Sequence, residues 1–312
     1  MFKKTHLALL SYLVVCIVWG STYLAIRVGV TDMPFLVFAG IRFTAAGILI
    51  LTASKIKGWA FPKTKKEYGI LILVGLLLLF ISNGLICWAE QWLESGLTAL
   101  LIATLPLFMA SIEFMLPHGQ RPGWLGWAGL LIGFGGVAYL VSPQISLEGH
   151  TFPAMLAVIG ASLTWSVGSI FLRRQTIKGA MMPIVGIQKL TAGIAFFLAA
   201  ALSGDYSLSG ASAKGFIALL YLIFFGSILA YTAYNYMIKE IPAAKAGTYA
   251  YINPVVAVAL GALILQEVIT FQNILAAVII LGGVILVQVS RISQARPGPG
   301  PEPAGKSTSA GS

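Results

Sequence analysis

Residues 19–47 decide the fold, and they read W-G-S-T-Y-L-A-I-R-V-G-V-T-D-M-P-F-L-V-F-A-G-I-R-F-T-A-A-G. Their pattern returns at residues 165–193, W-S-V-G-S-I-F-L-R-R-Q-T-I-K-G-A-M-M-P-I-V-G-I-Q-K-L-T-A-G. One constant shift of 146 positions aligns three landmark pairs: Trp19 with Trp165, Arg27 with Arg173, and Gly47 with Gly193. Apolar composition alone would not preserve one shift across two helices and their connection. The sequence therefore predicts an internal duplication.

The composition indicates a membrane protein. Of the 312 residues, 58% are hydrophobic and 10% are charged, whereas soluble globular chains carry about 25% charged residues. Apolar runs long enough to cross the hydrocarbon core of a bilayer recur along the chain. We predict ten transmembrane helices, at about residues 7–28, 34–54, 68–90, 95–116, 124–141, 154–172, 182–203, 214–238, 243–266 and 271–290. The predicted fold class is an all-α polytopic membrane protein.

The basic residues predict its orientation. With the N-terminus in the cytoplasm, 16 of the 20 Lys and Arg residues fall on that side, and Lys214 alone flanks the other. Such an excess marks cytoplasmic loops. We therefore predict a multi-pass protein of the inner (plasma) membrane with both termini cytoplasmic. The net charge of +10 then records topology, so we expect membrane lipid and no nucleic acid as a partner. The first apolar run resembles a secretory signal, but cleavage would remove Trp19, so we expect an uncleaved span.

Five spans per half is an odd number, so the two copies must enter the membrane from opposite sides. We predict two inverted five-helix repeats around a central cavity, the first at 7–142 and the second at 153–291. A cytoplasmic N-terminus (1–6) precedes them. A Pro- and Gly-rich tail (292–312) follows, and its composition predicts disorder. In membrane proteins such duplications commonly mark transporters whose substrate site lies between the halves.

Two prolines lie in the middle of predicted spans at corresponding places in the two halves. Pro106 is in the fourth span and Pro254 is in the ninth, 148 positions later. A proline inside a helix removes one backbone hydrogen bond and bends or opens the helix. We predict that both prolines act as hinges, with a purely structural kink as the alternative.

Charged residues within spans are costly and commonly functional. Arg42 lies well inside the second span and Lys189 lies inside the seventh. We predict that one or both face the cavity and attract a carboxylate, with snorkelling or a structural ion pair as the alternative. Glu113 and Glu267 lie near span ends, where either a transported proton or simple snorkelling would explain them.

Several spans carry polar or aromatic residues at helical spacing, and lipid gains nothing from such groups at depth. We expect these faces to turn inward and line a substrate site. Together with Arg42 and Lys189, the predicted substrate-binding residues are Trp19, Tyr23, Asn83, Trp88, Trp165, Tyr234 and Tyr251. The sequence shows no His, Cys or Asp cluster with metal-ligand spacing and no nucleophile beside a base. We therefore predict no metal, no cofactor and no catalytic residue.

Three segments resemble a known family when they are taken in order. They are W-G-S-T-Y-L-A-I-R-V-G from Trp19, N-G-L-I-C-W-A-E-Q-W from Asn83, and G-S-I-L-A-Y-T-A-Y-N-Y-M from Gly226. The chain is similar to the EamA branch of the drug/metabolite transporter superfamily over about residues 7–290. That resemblance implies ten helices in inverted repeats, a central cavity, alternating access, and export of amino acids, other metabolites or toxic compounds. First repeats of the family usually carry an acidic residue where this chain reads L-P-H-G-Q-R from Leu116, whereas Glu267 keeps it in the second half.

We predict an exporter of small polar or amphipathic metabolites, amino acids among them, working by alternating access. Multidrug or toxic-compound efflux is the nearest alternative. A passive channel, an intramembrane enzyme and a non-transporting assembly factor are alternatives of other classes. The sequence leaves open whether transport is proton-coupled and whether the protein is a monomer or a homodimer.

Overall fold

A computed structural model describes residues 2–116, 123–142, 149–204, 206, 208, 211–240 and 249–294. These residues form helices and connecting loops, with no β-strand among them. The helices are α1 (Phe2–Asp32), α2 (Phe35–Ile56), α3 (Lys65–Ala89), α4 (Ser95–Met115), α5 (Trp124–Val141), α6 (Thr151–Arg173), α7 (Met181–Ser203), α8 (Ala213–Glu240), α9 (Tyr249–Ile264) and α10 (Phe271–Gln294).

Within the described residues, nine helices are long and apolar enough to cross a membrane. The tenth apolar segment, Ile252–Ile264 in α9, is shorter, and the start of the predicted ninth span falls outside the described residues. The prediction of an all-helical polytopic membrane protein is confirmed. The last helix continues to Gln294, and the predicted tail beyond it also lies outside the described residues.

Two helices contain a segment of π-helix, which is rare in proteins. The segment is Gly75–Ser82 in α3 and Leu222–Ala230 in α8. Their starts are 147 positions apart and their ends 148, close to the shift read from the sequence. Because a π-helix has wider turns than an α-helix, residues after each segment point in a different direction from that expected for a regular helix.

The helices pair in a way that follows the same shift. The most extensive packing joins α2 to α7 and α5 to α10, which are corresponding helices of the two halves. Helix α1 packs against α8 and α9, and its counterpart α6 packs against α3 and α4. If each helix of the first half is replaced by its counterpart in the second half, and the reverse, the first set of contacts becomes the second. This symmetry favours the predicted duplication.

Glycines let both of the main helix pairs approach closely. A Cβ atom on Gly47 would lie 2.7 Å from the backbone nitrogen of Leu190, and one on Gly193 would lie 2.5 Å from the nitrogen of Thr44. Between α5 and α10, a Cβ on Gly283 would lie 2.4 Å from the nitrogen of Gly133. Such backbone contacts are typical of small-residue packing between membrane helices.

A carboxylate closes each end of the bundle by accepting backbone hydrogen bonds across it. At the acidic end, which holds Asp32, Glu94 and Glu267, Asp32 Oδ2 accepts from the Ser212 nitrogen at 2.7 Å. At the basic end, Glu67 Oε1 accepts from the Lys178 nitrogen at 2.8 Å. We call these contacts the acidic-end clasp and the basic-end clasp.

Helix α4 is interrupted near its middle. Its two parts are Ser95–Ile102 and Leu105–Met115, with a turn at residues 103–104. Pro106 lies in the first turn of the second part, where its missing N–H leaves the preceding turn without a donor. Pro254, by contrast, lies inside α9, which runs unbroken from Tyr249 to Ile264.

Candidate functional site

A cavity of about 100 Å³ lies among eight of the ten helices. Helices α1 to α4 and α6 to α9 contribute to its wall, whereas α5 and α10 do not. The lining residues are Trp19, Thr22, Tyr23, Ile26, Arg42, Phe43, Leu79, Ser82, Asn83, Ile86, Ala99, Ile102, Ala103, Leu105, Trp165, Lys189, Gly226, Tyr231, Tyr249, Asn253 and Pro254. Ligand pockets usually measure about 300–1,000 Å³, so the volume of this cavity is below that of a typical binding site.

Two buried cations face this cavity. Arg42 is 5% exposed and Lys189 is 1% exposed. Within the described part of the chain, the one ion pair joins Arg173 to Glu113, so neither cavity cation has a carboxylate within 4 Å. Unpaired charges are rarely buried this deeply unless another group compensates them. The cavity therefore holds two basic side chains that the described residues leave without a counter-ion.

The contacts of Arg42 fix its direction. Its Nε donates to Ser227 Oγ at 3.1 Å, and its guanidinium carbon lies 4.8 Å from the centre of the Phe43 ring. Its Nη1 is buried and has no hydrogen-bond partner among the described residues. One edge of the guanidinium is thus held by the protein, and a donor remains for an acceptor that enters the cavity.

Aromatic rings hold Lys189. Its Nζ lies 4.3 Å from the centre of the Tyr231 ring and 5.4 Å from the Phe43 ring, which also contacts Arg42. Cation–π contacts of this kind are worth about 2 kcal/mol when they are desolvated. They stabilise the ammonium group without using its hydrogen bonds.

An aromatic cluster borders the two cations. The Trp19 ring lies 6.2 Å from Trp165, 4.9 Å from Tyr234 and 5.5 Å from Tyr249, measured between ring centres. Trp19 Nε1 donates to the Gly226 carbonyl at 3.4 Å. These rings offer an apolar surface beside the charges, which is the arrangement expected for an amphipathic ligand.

The structure brings most of the predicted site residues together. Six of them line the cavity: Trp19, Tyr23, Arg42, Asn83, Trp165 and Lys189. Tyr234 does not line it but packs on Trp19. Trp88 lies elsewhere, against the hydrophobic core that α3, α4, α5, α6 and α10 share. The Tyr251 side chain lies outside the described part of the structure.

Tyr231 lines the cavity although it is not among the predicted substrate-binding residues. It lies under Lys189, and its hydroxyl donates to Gln188 Oε1 at 3.0 Å. A signal for it existed, because a shift of 148 positions carries the predicted residue Asn83 to Tyr231. That shift is also the one between the ends of the two π-helical segments.

The two span-end carboxylates have structural partners. Glu113 Oε1 lies 2.8 Å from Arg173 Nη1. Glu267 accepts hydrogen bonds from the Ser95 and Gly96 nitrogens at 2.7 and 3.0 Å, which caps the start of α4. A carboxylate at a helix N-terminus is stabilised by the exposed N–H groups there. Glu94, the residue before that helix, has its pKa raised by burial and by the nearby Glu267 carboxylate.

Residues 6–142 and 152–289 each match the EamA-like transporter family. The chain is 39% identical over 276 residues to the uncharacterised inner membrane transporter YedA of Escherichia coli K12, covering 88% of each chain. It is 26% identical to a probable amino-acid metabolite efflux pump of the same strain, covering 88% of this chain and 92% of that protein. A crystal structure matches with a TM-score of 0.62 and 18% identity, covering 90% of this chain and 97% of that one, which shows the shared fold. The chain belongs to the EamA-like transporter family and is a multi-pass membrane transporter of the inner membrane.

Proposed function

We propose that this transporter exports small metabolites that carry a carboxylate, amino acids among them. The observation that carries the proposal is the pair of buried cations, Arg42 and Lys189, that face one cavity without a described carboxylate partner. A carboxylate entering the cavity would pair with both charges and accept from the free guanidinium donor. The aromatic rings beside them suit the apolar part of the same molecule.

The relatives support this choice of substrate class. One of them is named a probable amino-acid metabolite efflux pump. Cationic drugs, by contrast, would meet two like charges in a cavity of low dielectric constant, where repulsion is strong. The names of the family and of its relatives denote transporters rather than enzymes.

We propose alternating access as the mechanism. The chain would form two inverted repeats, residues 7–142 and 153–291, with the basic end in the cytoplasm and the acidic end outside. The pairing of corresponding helices and the matched π-helical segments support this relation between the halves. The halves would rearrange around the cavity, opening it to one side and then to the other.

Matched probes test the substrate class. L-phenylalanine carries both charges, 3-phenylpropionate lacks the ammonium, and phenethylamine lacks the carboxylate. We expect calorimetry on the purified protein to show binding of the first two and little binding of phenethylamine. Binding of phenethylamine alone would contradict the proposal and favour cationic-drug efflux.

Flux from proteoliposomes tests the transport mode. A panel of amino acids, purines and cationic drugs would be loaded, and efflux followed at increasing internal concentration. We expect saturable efflux of at least one carboxylate, because alternating access requires a bound state. Flux that rises without saturation would indicate a channel, and no flux for any compound would count against the proposal.

A further inference from the structure

Glu90 is a carboxyl group sealed inside the protein. Its exposed fraction is 0%, and neither of its side-chain oxygens has a hydrogen-bond partner among the described residues. Helix α3 ends one residue earlier at Ala89, and the main-chain carbonyl of Glu90 accepts a hydrogen bond from the Arg27 guanidinium. Because an ionised carboxylate without partners is costly to bury, Glu90 holds its proton at a higher pH than an exposed carboxyl group does.

The position of Glu90 is between two hollows of the molecule. Four residues earlier, Ile86 lines the central cavity. Four residues later, Glu94 lines a second hollow at the acidic end, together with Arg27 and Glu267. Glu90 itself lines neither, and it lies between the two lining residues along the chain.

Charged and titratable groups on several elements interact electrostatically with Glu90. They are Arg27 and Tyr23 on α1, Glu267 after α9, Arg42 on α2, and Cys87 on α3. The two arginines favour a negative charge on Glu90, and the Glu267 carboxylate opposes it. Of these groups, Arg42 and Tyr23 also line the cavity, so Arg42 can act on Glu90 and on a cavity ligand together.

We propose that Glu90 is a proton-binding site whose protonation is linked to the binding of a carboxylate at Arg42. This inference rests on the proposed function. At a pH where Glu90 is ionised in the free protein, an anion beside Arg42 neutralises that cation. Glu90 then loses part of its electrostatic support and takes up one proton from water. No other bond forms or breaks.

The same coupling acts in the opposite direction. When Glu90 is ionised, it competes with the ligand for the positive charge of Arg42. When Glu90 is protonated, Arg42 is left to the ligand, and the affinity for the carboxylate rises by the same factor, because binding free energies are reciprocally linked. Carboxylate binding therefore strengthens as the pH falls, for as long as the ligand itself remains ionised.

Calorimetry with 3-phenylpropionate on the purified protein tests this linkage between pH 6 and 9. The probe stays ionised there, because an ordinary carboxyl group titrates near pH 4. We expect the Kd to rise with pH by up to about tenfold per unit, the limit for one linked proton. Titrations in two buffers of different ionisation enthalpy should also show uptake of up to one proton per ligand. A Kd and a proton uptake that do not respond to pH would overturn the inference.

Three variants separate Glu90 from its neighbours. Glu90→Gln mimics the protonated form, so it should bind tightly across the whole range and take up no proton. Glu90→Asp keeps the carboxyl group and should keep the pH dependence, which controls for misfolding of the Gln variant. Glu94→Gln removes a carboxyl group four residues away and should behave as the wild type.

The outcomes distinguish this inference from the proposed function. An unchanged pH dependence in Glu90→Gln would overturn the inference and assign the linked proton to another group, such as Lys189, while the proposed function would stand. Failure of wild-type protein to bind 3-phenylpropionate or L-phenylalanine at any pH would overturn the proposed function and this inference with it.

Discussion

The two halves of the chain place corresponding helices side by side, yet they hold their buried cations differently. In α2, Arg42 is fixed by a hydrogen bond to Ser227 and rests on Phe43. In α7, Lys189 rests on the rings of Tyr231 and Phe43. A guanidinium held at one edge has a set direction, whereas rings hold an ammonium without orienting its N–H groups. The first half thus supplies an oriented cation and the second an adjustable one.

Removing either cation should produce the largest functional effect. We expect Arg42→Gln and Lys189→Met each to weaken binding of 3-phenylpropionate by about 100-fold, since a hydrogen bond to a charged group contributes about 1.5–3 kcal/mol. Arg42→Lys should recover little of the loss, because the ammonium cannot reproduce the contact with Ser227 and the free donor together. Calorimetry on the purified variants measures all three.

Lys214→Met is the matched control for these changes. It removes one positive charge from an exposed position at the acidic end and should leave the affinity unchanged. Recovery of full affinity by Arg42→Lys would contradict the oriented role of Arg42 and leave only its charge.

The two halves also differ in how closely their glycines approach the opposite helix. In the pair Gly282-Gly283, a Cβ on Gly283 would meet backbone atoms of α5 at 2.4 Å, whereas one on Gly282 would meet nothing within 4 Å. We expect Gly283→Ala to cost about 1–3 kcal/mol through overpacking. Gly282→Ala should be neutral or slightly stabilising, because alanine favours helices. Thermal unfolding in detergent compares the two.

The corresponding pair in α5 is Gly135-Gly136. A Cβ on Gly136 would approach Ile279 Cγ2 at 2.8 Å and Ile280 Cγ1 at 2.9 Å, whereas Gly135 has open space. Because the nearest atoms are side chains that can shift, Gly136→Ala should destabilise less than Gly283→Ala. A larger loss for Gly136→Ala would show that the close contact between α5 and α10 lies nearer to Gly136 than the structure places it.

The sequence predicted the helices and most of the cavity because both follow simple periodicities. Long apolar runs defined the spans, and the constant shift paired Trp19 with Trp165 and placed Lys189 one residue after the counterpart of Arg42. Buried charges within spans are rare enough that Arg42 and Lys189 could be selected without a structure. All four residues line the cavity.

The remaining site residues depend on rotation about the helix axis, which the sequence fixes poorly. Trp88 is five residues after Asn83, about 140° away around a regular helix, and it packs in the core rather than on the cavity. In α8, the π-helical segment ends just before Tyr231 and changes the direction of the residues that follow. Sequence periodicity placed Tyr231 and Tyr234 in one polar stripe of the eighth span. We predicted Tyr234 as the binding residue, whereas Tyr231 lines the cavity.

The acidic-end and basic-end clasps also differ between the two halves, and variants in them should have smaller effects. Asp32 and Lys178 are 146 positions apart, yet the carboxylate comes from α1 at the acidic end and from α3 at the basic end. Glu67 also accepts from the Lys63 and Thr64 nitrogens, each at 3.0 Å. We expect Glu67→Gln to destabilise the protein more than Asp32→Asn, because more hydrogen bonds end on the Glu67 carboxylate.

Thermal unfolding gives the order of the two clasp variants. Glu113→Gln is a useful reference, because it also removes one negative charge at the basic end, from a partly exposed ion pair expected to contribute less than about 1 kcal/mol. Equal losses for the Glu67 and Asp32 variants would show that the extra hydrogen bonds of Glu67 contribute nothing to stability.

The smallest expected effect concerns the proposed hinges, Pro106 and Pro254. Helix α4 is interrupted just before Pro106, beside the cavity-lining residues Ile102 and Ala103, whereas α9 runs unbroken through Pro254. Replacing Pro106 with alanine restores an N–H that can donate to the Ile102 carbonyl and join the two parts of α4. If opening of the cavity uses this interruption, Pro106→Ala should slow saturated efflux by about three- to tenfold, a barrier change of about 0.7–1.4 kcal/mol. Pro254→Ala should change the rate less, since its helix has no gap to close, and similar slowing in both variants would instead assign equal hinge roles to the two halves.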